Sequence, residues 1–158
     1  MLIVSNTSPV NYLVLIGAIE VLPALHQRVV IPEAVWEELR VPATPVSVRA
    51  WIENPPAWLE IRRPHSSPDE HLSRLGKGER DAILLAQELH STLLIDEVRA
   101  YREAQRRNIP TLRTLSILDK AAERGLIDLT KTVERLRQTN FRVRPEILDQ
   151  LLKRRGSG

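Results

Sequence analysis

Acidic residues and one amide fall in this chain where a fold could bring them together. Ser5-Asn6-Thr7-Ser8 follows the apolar run Leu2-Ile3-Val4, and Asp96-Glu97 follows Thr92-Leu93-Leu94-Ile95. Glu37-Glu38 lies in the last turns of a helix opened by Pro32, and Gly76-Lys77-Gly78-Glu79-Arg80-Asp81 opens another. Carboxylates converging with an amide oxygen are ligands for a hard cation such as Mg²⁺ or Mn²⁺. Such a cluster stays ionised only around a cation, because like charges in one cleft repel. Other chemistries are poorly supplied. There is no cysteine, and His26, His65, His71 and His90 lack ligand spacing. Thr7 and Ser8 have no nearby histidine to serve as a base. Gly76-Lys77-Gly78 lacks the spacing of a phosphate loop.

Each candidate also has a structural reading. Glu79 and Asp81 stand in a first helical turn, where acids favour the helix dipole. Asp96 reads as an N-cap for the helix after it, and Asn6 as a turn residue bonding its own backbone. Trp36, Trp51 and Trp58 read as core or interface anchors.

The elements that must position these residues alternate along the chain. Leu2–Val4, Arg28–Ile31, Thr92–Ile95 and Ile109–Leu112 are short, mostly apolar without alternation and rich in β-formers, the mark of strands buried on both faces. Trp58-Leu59-Glu60-Ile61 alternates and reads as an edge strand. Helices are expected from a Ser8 cap with Pro9 to a stop at Gly17, and from Pro32 to Arg40. Others are expected around 45–53, over 79–90, over 98–107, from Thr114 to a Gly125 stop, over 130–138 and over 145–154. Strands alternating with helices imply a three-layer α/β/α domain with a central, mainly parallel sheet. Ligands of such sheets gather at the carboxyl ends of the strands, where the acids fall. Six of the eleven prolines lie between Val41 and Pro68, which marks the irregular region.

The chain has 158 residues, the length of one domain, expected over 1–155 with a flexible tail at 156–158. Absence of cysteine fits a reducing, cytoplasmic setting, and the interrupted apolar start reads as neither signal peptide nor membrane span. Net charge is −5 over residues 1–98 and +8 over residues 99–158, together +3, and most basic residues are arginine. An acidic part joined to an arginine-rich part points to a carboxylate site beside a polyanion surface. Arg99 and Arg102, just after Asp96, are its nearest nucleic-acid-binding candidates. With Arg106 and Arg107 they read as one helix face.

Taken in order, four segments give the chain a family likeness. Val4-Ser5-Asn6-Thr7-Ser8-Pro9, Ile31-Pro32-Glu33-Ala34-Val35-Trp36-Glu37-Glu38-Leu39, Gly76-Lys77-Gly78-Glu79-Arg80-Asp81-Ala82-Ile83 and Leu93-Leu94-Ile95-Asp96-Glu97 resemble the PIN-domain nucleases. That fold is the one of many type II toxin ribonucleases of the VapC kind. The likeness is nearer to a PIN-like branch whose members read as nucleic-acid-binding proteins. It implies metal ligands at Asn6, Glu38, Glu79 or Asp81, and Asp96, with catalytic roles for Glu38, Asp81 and Asp96. It further implies an Mg²⁺- or Mn²⁺-dependent endoribonuclease acting on RNA, a small antitoxin partner and a homodimer. Asn6 stands where the general pattern has its first metal aspartate. An asparagine carbonyl can ligate but brings no charge and cannot act as a base. The alternative is therefore a catalytically weak or inactive PIN-like module that binds nucleic acid or a protein partner.

Overall fold

A computed structural model of the protein describes residues 1–156. Five strands, β1 (Leu2–Ser5), β2 (Arg28–Pro32), β3 (Leu59–Arg62), β4 (Thr92–Leu94) and β5 (Thr111–Leu112), form one sheet in the order β3-β2-β1-β4-β5. Every pairing is parallel. The continuous apolarity of the inner strands follows from their two covered faces. Ile3, Val29, Ile31 and Leu94 enter one core, while Val4, Val30, Leu93 and Ile95 enter the other. Successive side chains of a strand point to opposite faces, so both must be apolar when helices cover both.

Nine α-helices flank the sheet among the described residues. They are α1 (Thr7–Leu15), α2 (Val21–Leu25), α3 (Glu33–Glu38), α4 (Val46–Glu53), α5 (Lys77–Leu89), α6 (Val98–Arg106), α7 (Thr114–Glu123), α8 (Leu129–Arg137) and α9 (Pro145–Gly156). α5 and α6 supply one core through Ile83, Leu85, Ala100 and Ala104, and most of the others supply the opposite one. The result is the expected three-layer α/β/α fold. No helix among the described residues is long and apolar enough to cross a membrane.

Four local expectations are corrected. α1 begins at Thr7 behind Asn6, not at Ser8, and Pro9 still fits because the first helical N–H groups lack intrahelical partners. α2 was not expected, since a five-residue helix containing Pro23 leaves no periodic signal. The strand expected at Ile109–Leu112 shrinks to Thr111–Leu112. Asn108 takes φ +58° and the Ile109 N–H returns to Ala104 O at 3.0 Å, so Ile109 closes α6 and Pro110 has no N–H to donate. Finally, α9 extends through Gly156 into the expected 156–158 tail, of which Ser157 and Gly158 lie outside the described residues.

The Gly125 stop holds. Gly125 has φ +71°, with its N–H on Ala122 O and the Leu126 N–H on Ala121 O, a paired closure of α7.

From the central β1 the chain winds outward to β2 and β3, then returns to build β4 and β5 on the other side. The order therefore reverses between β1 and β4, and a crevice opens at the carboxyl ends of those strands. Asn6 follows β1 and donates its N–H to Leu94 O at 3.1 Å, and Asp96 stands two residues past the end of β4.

Candidate active site

Asn6 is 4% exposed, and its Oδ1 has no hydrogen-bond partner. It makes no side-chain cap bond to α1, so the turn reading does not describe it. A buried carbonyl oxygen left unpaired costs about 1–3 kcal/mol. That cost is recovered when a donor or a cation meets it.

Glu38 ends α3 and is half-buried. Its Oε2 accepts from the Thr7 hydroxyl, and its Oε1 accepts the Gly78 N–H at 3.1 Å. Gly78 is the second residue of α5, where backbone donors have no intrahelical partner, and the Gly76 N-cap has no side chain to satisfy one. Glu38 does so from another helix. An ideal Cβ on Gly78 would stand 2.6 Å from Glu38 Oε2, so the approach depends on glycine there. Glycine at 78 thus serves close packing of a carboxylate.

Asp96 repeats the device. Its Oδ1 accepts the Thr114 N–H at 3.0 Å and its Oδ2 the Thr114 hydroxyl at 2.5 Å. Thr114 is fully buried at the start of α7, whose N-cap Arg113 gives no side-chain cap bond. Asp96 does not cap α6, contrary to the structural reading of the sequence. Glu97 does, accepting the Arg99 N–H at 3.4 Å. Two acids are therefore each held at the N-terminus of a helix to which neither belongs, where the dipole favours negative charge.

The two acids of α5 differ. Burial, then Glu97 and Glu38, push the Glu79 carboxyl above its usual range, and Arg99 opposes them. Asp81 lies 3.5 Å from the guanidinium of its neighbour Arg80. Glu79 thus feels the charges of Glu97 and Glu38. Glu37 is exposed, 4.0 Å from the Lys77 ammonium.

The arginines divide as well. Arg99 and Arg102 are exposed on α6, and Arg99 Nη2 donates to Arg74 O at 3.4 Å. Arg106 and Arg107 both bind Glu103, and Arg107 also reaches Asp69 Oδ2 at 2.6 Å. The expected four-arginine face is half occupied by internal ion pairs. Trp36, Trp51 and Trp58 all pack on the core, as anchors should.

Among the described residues, no three acidic or histidine side chains gather into a group that could hold a metal ion. The chemistry of the donors nevertheless suits a hard divalent cation. All are oxygens, and one is a buried carbonyl without a partner. Each oxygen of Glu38 and Asp96 retains a further lone pair beyond the bond it accepts.

Sequence reasoning named the acids and missed Thr7, Gly78 and Thr114, which hold them. The glycine two positions before the α5 arginine carried a signal only once its neighbour across space was known.

Compared with known proteins, the chain matches a family model described as a PIN domain over residues 2–157. No curated protein matches it. With a parallel sheet, a crevice at its order reversal and a match over nearly its whole length, the chain belongs to the PIN-domain family, whose members are in general nucleases that use divalent metals.

Proposed function

We propose that this chain is an endoribonuclease dependent on Mg²⁺ or Mn²⁺, working in the cytoplasm as the toxin of a type II toxin–antitoxin pair. The observation that carries the metal-dependent reading is the buried, unpartnered Asn6 Oδ1 at the same crevice as Glu38, Glu79 and Asp96. Asn6, Glu38, Asp96 and Glu79 would hold the cation, with Glu79, in the first turn of α5, preferred to Asp81, which is paired with Arg80. A bound divalent cation would acidify a water and offset charge on the phosphodiester. Thr7 and Gly78 orient Glu38, and Thr114 orients Asp96, so the protein supplies prepositioned oxygens. Arg99, followed by Arg102, offers charge to the RNA backbone, fixing its position without reading sequence. The small antitoxin and a homodimeric state belong to the same proposal and rest on the family likeness.

Cleavage of single-stranded RNA with and without Mn²⁺ tests this reading, using Glu38→Gln and Asp96→Asn beside the parent. Metal-dependent cleavage lost in both variants is expected. Parent-rate cleavage by either variant under saturating Mn²⁺ would remove that residue from the site. RNA affinity should also fall steeply with salt, and replacing Arg99 and Arg102 together should flatten the slope.

A second reading, a non-catalytic module that binds nucleic acid, is favoured by the neutral side chain at Asn6 and the lack of a metal-holding group of acids among the described residues. It would show salt-dependent RNA binding with no cleavage and no Mn²⁺-dependent rise in melting temperature.

A further inference from the structure

A cavity of about 510 Å³ opens beside Asp96, bounded by α1, the start of α7 and the segment 140–143 that joins α8 to α9. Its size lies within the roughly 300–1,000 Å³ of small-ligand sites. Tyr12 and Phe141 contribute two aromatic rings, edge to face at 5.0 Å and 83°. The Tyr12 hydroxyl donates to Asn140 Oδ1 at 2.7 Å. That bond fixes the amide, leaving its NH₂ as a donor and a second lone pair on Oδ1 as an acceptor. Arg113 and Arg142 also line the cavity, and the Arg113 guanidinium is braced 4.4 Å from the Tyr101 ring centroid.

This combination selects its ligand by chemistry. Aromatic faces and a fixed amide suit a flat heteroaromatic ring with donors and acceptors on its edge. Two arginines suit an anion attached to that ring. An acidic peptide would bring carboxylates against Asp96 and Glu97, and a cationic one would meet Arg113 and Arg142. A nucleotide separates the two properties, with a neutral base and an anionic phosphate. We propose that the cavity is a nucleobase pocket, seating one unstacked base of single-stranded RNA with its phosphate toward Arg113 and Arg142 and so setting sequence preference. The ligand class rests on the ribonuclease reading above.

The test uses fluorescein-labelled hexaribonucleotides in EDTA, where binding is read without metal-dependent cleavage. One strand is intact, and six others each lack the base at one position. Stacking of one base on an aromatic side chain is worth about 1–3 kcal/mol, so removing the seated base should weaken binding about fivefold or more. Phe141→Leu and Asn140→Ala should lower intact-strand affinity toward the abasic value and leave the abasic strand unchanged. Tyr12→Phe keeps the ring and frees the amide, so it should reduce discrimination among the four bases more than total affinity. Asn140 is exposed, so its variant carries the test if Phe141→Leu fails to fold. Equal affinity for intact and abasic strands at every position would overturn the proposal. So would variants that weaken both strands alike. Base discrimination retained without any Mn²⁺-dependent cleavage would overturn the nuclease reading and keep the pocket.

Discussion

Glu38 and Gly78, forty residues apart, meet at 3.1 Å across the first turn of α5, where a Cβ on residue 78 would lie 2.6 Å from Glu38 Oε2. The carboxylate is held between that N–H and the Thr7 hydroxyl. Gly78→Ala should displace Glu38 while leaving the helix intact. Alanine gains about 1 kcal/mol of helix propensity, which offsets about 1 kcal/mol for the lost hydrogen bond. Melting temperature without metal should change little, whereas Mn²⁺ affinity or cleavage should fall about 10–100-fold, as when an orienting partner is lost. Unchanged cleavage would show that Glu38 is not required where it stands.

Thr114 does for Asp96 what Gly78 and Thr7 do for Glu38. Thr114→Val keeps the shape and the backbone N–H but removes the hydroxyl bond. The cost should be about 1 kcal/mol in stability and about tenfold in activity. Thr114→Ser should restore both. Chemical denaturation and a cleavage assay on the three proteins decide it, and a serine variant as impaired as valine would point to packing instead.

Asn6→Asp places a charge on the buried oxygen that has no partner. In metal-free buffer the added carboxylate joins an acidic crevice and should lower stability by about 1–3 kcal/mol. Mn²⁺ should reverse the loss by binding the native state, and its affinity should exceed that of the parent. Paired melting curves with and without Mn²⁺ measure both effects. Equal metal-induced shifts in the two proteins would take Asn6 out of the ligand set.

His26 is 7% exposed with neither ring nitrogen hydrogen-bonded. Burial, then the charges of Lys120, the amino terminus and Arg124, hold its imidazole below the ordinary value of 6.5. The unfolded chain therefore takes up a proton before the folded one does. Its contribution to stability is fully present above about pH 6.5 and is lost as pH falls from there through the folded-state value. His26→Leu should flatten that part of the stability profile. Urea titrations between pH 8 and pH 5 would show it, and parallel profiles for the two proteins would count against the assignment.

Much of the architecture was legible in the residues. Past their first residues Arg28 and Thr92, the runs Leu2–Val4, Arg28–Ile31 and Thr92–Ile95 are apolar at every position, as strands covered on both faces are, and helical segments between them point to a parallel sheet. Gly17 and Gly125 mark helix ends because φ near +71° is costly for residues with a Cβ. The acids at strand ends and helix starts were named for the same local reason. What the sequence could not contain was who faces whom. Asp96 looked like the cap of the helix beginning two residues later, yet its oxygens are taken by Thr114, eighteen residues away on another helix. Glu79 and Asp81 were both expected as first-turn acids, but α5 starts at Lys77, so only Glu79 lies in that turn, while Asp81 sits beyond it beside Arg80. Periodicity fixes the face on which a side chain lies, and local preference fixes where an element ends. The partner across space depends on how helices rotate and dock on the sheet, a property of the whole packed core. That docking decided the roles of Gly78, Thr114 and the unpaired oxygen of Asn6.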